Sequence, residues 1–287
     1  MKLVRALIIA SHPIPSLAVT AMAALLTAEA APAGFGAGAI ALVALAVLAG
    51  QLSVGWSNDA RDAERDAASG RVDKPAAVGT ISARTLWVGA AAAATASLAL
   101  AAVLGPVSLA IDAAMTLVAW SYNLGLKSTL WSGATYAIAF GLLPSFSASA
   151  LPGSPLARWP VTVAAGLLGL GAHFANVLPD LAADARNGVR GLPQRVATRF
   201  GPVATRSAAL ALLLAASVLL LVAASPGRRW AALAGLGCSA VLAVVGAGGR
   251  GQLPFLAAIG IAGVNAALFA GGVEALTAGP HLAGALG

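Results

Sequence analysis

Residues 58–82 read NDARDAERDAASGRVDKPAAVGTIS, and residues 176–193 read NVLPDLAADARNGVRGLP. Asn58, Asp62 and Asp66 of the first stretch return as Asn176, Asp180 and Asp184 of the second, each 118 positions on. Four-residue spacing sets the three oxygen-bearing side chains of a triplet on one face of a helix. At a rise of about 1.5 Å per residue, each stripe is about 12 Å long. Carboxylates that face one another repel unless cations lie between them. The duplication therefore predicts two facing walls that hold hard divalent ions and a polyanion.

The rest of the chain avoids charge. It is 59% hydrophobic and 9% charged, with mean hydropathy +0.88, whereas soluble domains carry roughly 25% charged residues. Only helices and closed barrels satisfy the backbone inside a bilayer. The long Ala/Leu/Val runs lack the alternation that barrel strands need. The expectation is an all-α membrane protein: about nine transmembrane helices in a bundle around a central cavity, built as two parallel pseudo-repeats. Segments of about 20 apolar residues fall near 13–31, 36–56, 82–104, 107–123, 131–149, 159–180, 205–224, 229–248 and 253–275. They leave room for a single membrane domain over 1–287, with halves at about 1–123 and 124–248 and an extra C-terminal span at 253–275.

Lys and Arg set the orientation. With the N-terminus inside, fourteen of the 17 fall in inner segments and only Arg158, Arg228 and Arg229 in outer ones. The N-terminus and both acidic stretches are thus expected on the cytoplasmic face, in a bacterial plasma membrane. The net charge of +7 and pI near 10.8 describe a basic inner face beside anionic lipid. No nucleic-acid partner is expected, because the basic residues are interleaved with Asp and flank spans. The single cysteine, Cys238, lies inside a span and reads as a small buried apolar residue. Ala28-Glu29-Ala30 imitates a signal-peptidase site, but His12, Pro13 and Pro15 interrupt the preceding run, so the segment is expected to be retained.

The repeat extends beyond the acids. Gly70 matches Gly188, Pro75 matches Pro193, and Arg71 and Arg190 come one position out of step. An even number of spans separates the motifs, so the halves are related by an axis near the membrane normal. That relation brings the acidic stripes together across the cavity. Gly70 and Gly188 are expected to end the acid-bearing helices, and Pro75 and Pro193 to start the next loop or short helix. Segments 70–80 and 186–202 then form loops over the cavity mouth, where closure excludes water.

Magnesium takes oxygen ligands, usually a few carboxylates plus substrate phosphate. Asp62, Asp66, Asp180 and Asp184 supply carboxylates, and Asn58 and Asn176 supply neutral carbonyl oxygens. Asp59 points about 100° away from Asn58 and Glu64 lies off the stripe. Arg71, Lys74, Arg190 and Lys127 are the candidate diphosphate-binding cations. Arg61, Arg65, Arg195 and Arg199 read as topological. A lipid diphosphate explains a site at a membrane surface: its head lies among the ions and its tail runs between helices. Departure of diphosphate from an allylic tail leaves a carbocation; Trp56, Tyr122 and Phe174 lie near the motif ends and read either as cation–π partners for it or as interfacial anchors.

These residues resemble the UbiA superfamily of intramembrane prenyltransferases, of the 4-hydroxybenzoate polyprenyltransferase-like kind. The two quoted stretches resemble its two Asp-rich motifs, YNLGLKSTLWS (122–132) its Tyr/Lys segment, and SHPIPS (11–16) the start of its first helix. The resemblance implies nine helices around a cavity and Mg2+-dependent transfer of a prenyl group from a prenyl diphosphate donor to a small hydrophobic or aromatic acceptor, a step of isoprenoid biosynthesis. It implies that Asn58, Asp62, Asp66, Asn176, Asp180 and Asp184 hold metal and diphosphate, and that Lys127 and Tyr122 face the donor. Members acting on 4-hydroxybenzoate often carry an Arg in the first helix, where this chain has Ser11-His12-Pro13. His173, one turn before Asn176, reads either as a substrate contact or as an internal hydrogen bonder. Asp112 reads as structural or solvated. Two other activities fit the same residues: a terpene cyclase, and a transporter with Asp-rich cation sites.

Overall fold

The computed structural model describes residues 2–186 and 188–272. These form twelve α-helices: α1 (Lys2–Ala10), α2 (Pro13–Ala30), α3 (Ala37–Ala68), α4 (Ala83–Leu104), α5 (Pro106–Leu124), α6 (Ser132–Ser149), α7 (Trp159–Val177), α8 (Leu181–Arg186), α9 (Leu192–Phe200), α10 (Pro202–Ala223), α11 (Arg229–Gly248) and α12 (Leu253–Gly272). Prolines open several of them: Pro13, Pro106, Pro160, Pro193 and Pro202 stand in first turns, where a missing N–H removes no helical bond. Ser82 caps α4 by accepting from the Thr85 backbone N–H at 3.0 Å.

Among the described residues seven helices are long and apolar enough to cross a bilayer: α2, α3, α4, α5, α7, α10, and α11 with the turn before it. The protein is an all-α integral membrane protein. The expected spans at 131–149 and 253–275 correspond to α6, rich in Ser, Gly and Thr, and to α12, apolar over Leu253–Phe269. Residues 273–275 and Glu274 lie outside the described residues. Neighbours in sequence pack as neighbours in space, and contacts of α12 with α2 and α7 close the ring. Leu26 of α2, Phe174 of α7, Leu213 of α10 and Phe269 of α12 share one core. Val43, Ala101 and Phe146 form a second, between α2, α3, α4 and α6.

Several expectations are corrected. The helix of the second apolar segment, α3, runs past residue 56 through the whole first acidic motif to Ala68. The second motif is not one helical stripe. α7 stops at Val177, a turn carries Pro179 and Asp180, and α8 starts at Leu181. Pro179 has no N–H to continue the ladder and its ring clashes with the preceding turn. Segment 186–202 is not all loop, since α9 fills 192–200. α1, not expected as an element of its own, packs on α2 and α3 and turns at His12, whose φ of 51° is left-handed. Cys238 is exposed on α11 and not buried; in a bilayer an apolar thiol loses nothing by facing lipid. Asp112 is buried, 3% exposed, with Ser97 Oγ 2.9 Å from its Oδ2.

Candidate active site

The last three turns of α3 bring Asn58, Asp62 and Asp66 to the end of the bundle where α7 ends. Gly70, at φ 68°, terminates that helix: the Arg71 N–H donates back to the Asp66 carbonyl at 3.0 Å. The second motif ends in the same way. Gly188 has φ 70°, and the Val189 N–H donates to the Asp184 carbonyl at 3.0 Å. Only glycine takes such φ values freely, and each turn folds the chain back beside its acids.

Between the motifs lies a cavity of about 180 Å³. Asn58 and Asp62 line one side, and Asn176, Asp180 and Asp184 the other. Lys127, Arg65 and Gln194 also line it, with Tyr122, Tyr136 and His173. Asp62, 7% exposed, takes Lys127 Nζ on Oδ1 and Arg65 Nη2 on Oδ2, the latter at 2.7 Å. Burial pulls the Lys127 ammonium below its usual range, against the pull of Asp62. Gln194 Nε2 donates to Asp184 Oδ2 at 2.8 Å. Burial raises the Asp184 carboxyl, and that hydrogen bond opposes the rise. Asp180 and Asn176 are exposed.

The aromatic residues make a packed set. Tyr136 stacks on His173 with centroids 4.4 Å apart, and Tyr122 meets Tyr136 edge-on at 5.2 Å. Asn123 fixes this end of α5 by donating to the Val54 carbonyl at 2.9 Å and to Ser57 Oγ at 2.8 Å. Ser132, fully buried at the start of α6, accepts the Leu192 N–H at 2.8 Å and lies 3.1 Å from His173 Nε2. Gly191 lets α9 come so close, because a Cβ there would stand 2.6 Å from the Lys127 carbonyl oxygen.

Asn58, Asp62, Asn176, Asp180, Asp184, Lys127, Tyr122 and His173 are thus brought to one cavity. Asp66 is buried beside them, 3.9 Å from Arg65, but does not line it. The other candidates are placed elsewhere. Lys74 turns from the cavity to Asp59, with Nζ 2.7 Å from Oδ1, and His12 Nε2 joins the same oxygen at 3.1 Å. A buried carboxylate demands a partner, and Asp59 is 2% exposed. Arg71 is exposed and forks onto Asp73 with two bonds of 2.8 Å, which hold the Asp73 carboxyl at about 2. Arg190 is exposed, and its carbonyl accepts from Arg195. Trp56 donates to the Leu7 carbonyl at 2.9 Å and packs against α1. Phe174 is buried in the bundle core. Sequence reasoning missed Arg65, Tyr136, Ser132 and Gln194. Arg65 was open to it, since it stands three positions after Asp62 on the same helix.

The fold and cavity define a polytopic membrane protein with opposed acidic walls at one end of its bundle. Residues 16–249 match the UbiA prenyltransferase family, and the chain belongs to that family. Among solved structures it is similar to a UbiA homologue from Archaeoglobus fulgidus bound to GPP and Mg2+, with TM-score 0.73 and 16% identity over 92% of this chain and 98% of that one. An apo UbiA homologue from Aeropyrum pernix K1 gives TM-score 0.70 and 21% identity over 90% and 96%. A digeranylgeranylglyceryl phosphate synthase gives 0.71 and 14% over 96% and 99%. At these identities the likeness is one of fold. No curated protein matches the chain.

Proposed function

We propose that the protein is an Mg2+-dependent intramembrane prenyltransferase that moves an isoprenyl group from a prenyl diphosphate to an aromatic acceptor through an allylic carbocation. Family membership supports the reaction class, and the archaeal homologue holding GPP with Mg2+ supports the donor and metal. The observation that carries the reading is the cavity, which gathers carboxylates of both motifs with Lys127 and Arg65.

Among the described residues no three His, Cys, Asp or Glu side chains already form a metal cluster. The donor set nevertheless fits magnesium: Asp62, Asp180 and Asp184 offer carboxylates, Asn58 and Asn176 offer amide oxygens, and no thiol lines the cavity. When bound, magnesium supplies Lewis-acid stabilisation of the departing diphosphate. Lys127 and Arg65 bind diphosphate oxygens and stabilise the charge that grows on them. Tyr122 and Tyr136 line the cavity beside the cation and keep water from it. By the Lys/Arg distribution, the cavity opens to the cytoplasm.

The test is diphosphate release by membranes given geranyl, farnesyl or geranylgeranyl diphosphate, with and without Mg2+, plus a pool of phenolic acceptors. Mg2+-dependent release with a prenylated acceptor is expected. Cyclised products alone would move the reading to a terpene cyclase, and no release from any donor would refute it.

A further inference from the structure

The loop that follows the first motif carries two cations, and they are committed differently. Lys74 Nζ is held by Asp59, a residue 2% exposed, so its departure would leave a buried charge bare. Arg71 is held by Asp73 through Nε and Nη2, each bond 2.8 Å, and there both partners face water: the side chains are 44% and 59% exposed. Such a pair contributes little, because water solvates both groups once they part. The backbone fixes where Arg71 starts from. Its N–H donates to the Asp66 carbonyl at 3.0 Å, and Gly70 before it, at φ 68°, turns the chain back beside the first motif. The hydrogen bonds of Asp73 hold the guanidinium above its usual range; burial opposes this, and the charges of Asp66 and of Asp180, in the second motif, add to the rise. Asp180 lines the cavity. Arg71 thus stands within the field of both motifs while its donors are spent on a residue of neither.

We infer that Asp73 is an autoinhibitory latch, which withholds Arg71 from the cavity until a diphosphate arrives to take its place. The inference rests on the proposed reaction, whose donor carries that diphosphate. A guanidinium forks onto phosphate oxygens with the same paired N–H bonds that it gives a carboxylate. A diphosphate carries more charge than Asp73 and would lie where less water screens it, so the exchange favours the diphosphate. Asp73 itself takes no part in binding. It is exposed, it does not line the cavity, and its carboxylate would repel the incoming anion. Lys74 does not join the exchange, because Asp59 has no water to turn to.

The experiment is calorimetric titration of the detergent-solubilised full chain with pyrophosphate in the presence of Mg2+. It compares the unaltered protein with Asp73→Asn, Arg71→Gln and the double variant. Asp73→Asn is expected to bind about threefold tighter, the size of one exposed ion pair. Arg71→Gln is expected to bind at least about threefold more weakly, the loss of a charged hydrogen bond. In that background, adding Asp73→Asn is expected to alter nothing. Affinity unchanged or weakened by Asp73→Asn overturns the latch, since Asp73 would then be idle or would hold Arg71 in its working position. Tightening of the same size without Arg71 also overturns it, because Asp73 would then act by its charge alone. The expected binding pattern with no turnover of any donor strikes the proposed reaction and leaves the latch standing. Absence of pyrophosphate binding in all four proteins overturns the latch, and release from a prenyl donor judges the reaction separately.

Discussion

Gly191→Ala is the sharpest probe of the closed cavity. The backbone at Gly191 has φ −65° and ψ 174°, which alanine adopts without strain. Its effect must therefore come from the added methyl. That carbon would stand 2.6 Å from the Lys127 carbonyl oxygen and 2.7 Å from Gln194 Oε1. The first neighbour is backbone and cannot swing aside, so the α9 end must lift. Lifting stretches two bonds of 2.8 Å: Leu192 N–H to Ser132, and the Gln194 amide to Asp184. A neutral bond is worth about 1 kcal/mol and one to a charged group about 2 kcal/mol. Together they shift the docked population by roughly a hundredfold, at about 1.4 kcal/mol per factor of ten. With the docked form as the active one, kcat/KM for diphosphate release is expected to fall between about tenfold and a hundredfold. Thermal unfolding of the solubilised protein should stay cooperative with a lowered midpoint, because Leu192 and Val196 of α9 pack against the bundle core. A Gly191→Ala enzyme with unaltered kcat/KM would refute the claim that α9 completes the site.

Three further substitutions probe the cavity and its surroundings. Asp62→Ala or Asp180→Ala is expected to cut Mg2+-dependent release by at least about a hundredfold, several kcal/mol of charge stabilisation, in protein that still elutes as a folded species; activity in both variants ends the metal assignment. Lys127→Ala should raise the donor KM by about tenfold or more, the loss of a charged hydrogen bond, measured against a Mg2+ requirement that moves less. Lys74→Met leaves Asp59 buried with only His12 beside it, and is expected to destabilise by about 3 kcal/mol. A thermal melt in detergent checks this, and an unaltered donor KM in the folded fraction would separate the Lys74 role from diphosphate binding.

The apolar runs made the helices legible, because length and hydropathy alone decide what a bilayer accepts. The paired triplets made the cavity legible, because charge in such a chain is costly without use. Contacts between residues far apart in sequence were hidden. Lys74 comes after Asp66 and precedes a proline, as a phosphate-binding lysine would, but Asp59 and a histidine 62 positions earlier claim it. Trp56 sits at the end of an apolar run, yet its N–H is taken by α1, an element with no clear signal. Ser132 and Gln194 are neutral polar residues, and nothing in composition separates them from the many hydroxyl residues that bond their own helix, as Thr20 and Thr27 do. The break at Pro179 was readable, and the four-residue spacing outweighed it wrongly.

That break gives the two walls different characters, and charge shows why both are needed. Asp62 sits on a continuous helix, is nearly buried, and has both oxygens occupied by the chain's own cations. Asp180 and Asp184 sit on a turn and a six-residue helix, and Asp180 is exposed. The cavity is lined by three carboxylates against Lys127 and Arg65, one net negative charge. A diphosphate arriving alone would add to that negative charge in a half-enclosed space, where repulsion exceeds its value in water. Divalent cations arriving alone would compete with Lys127 and Arg65 for Asp62. Arriving together, the ions satisfy the exposed wall, and the diphosphate offers Lys127 and Arg65 a replacement for Asp62. This arrangement implies that donor and Mg2+ each raise the other's affinity, reciprocally. Titration with Mn2+ as probe should show tighter binding in the presence of a non-hydrolysable prenyl diphosphate analogue, and the analogue should bind tighter by the same factor with Mn2+ present. Independent binding of the two would mean that Lys127 and Arg65 do not exchange between carboxylate and diphosphate.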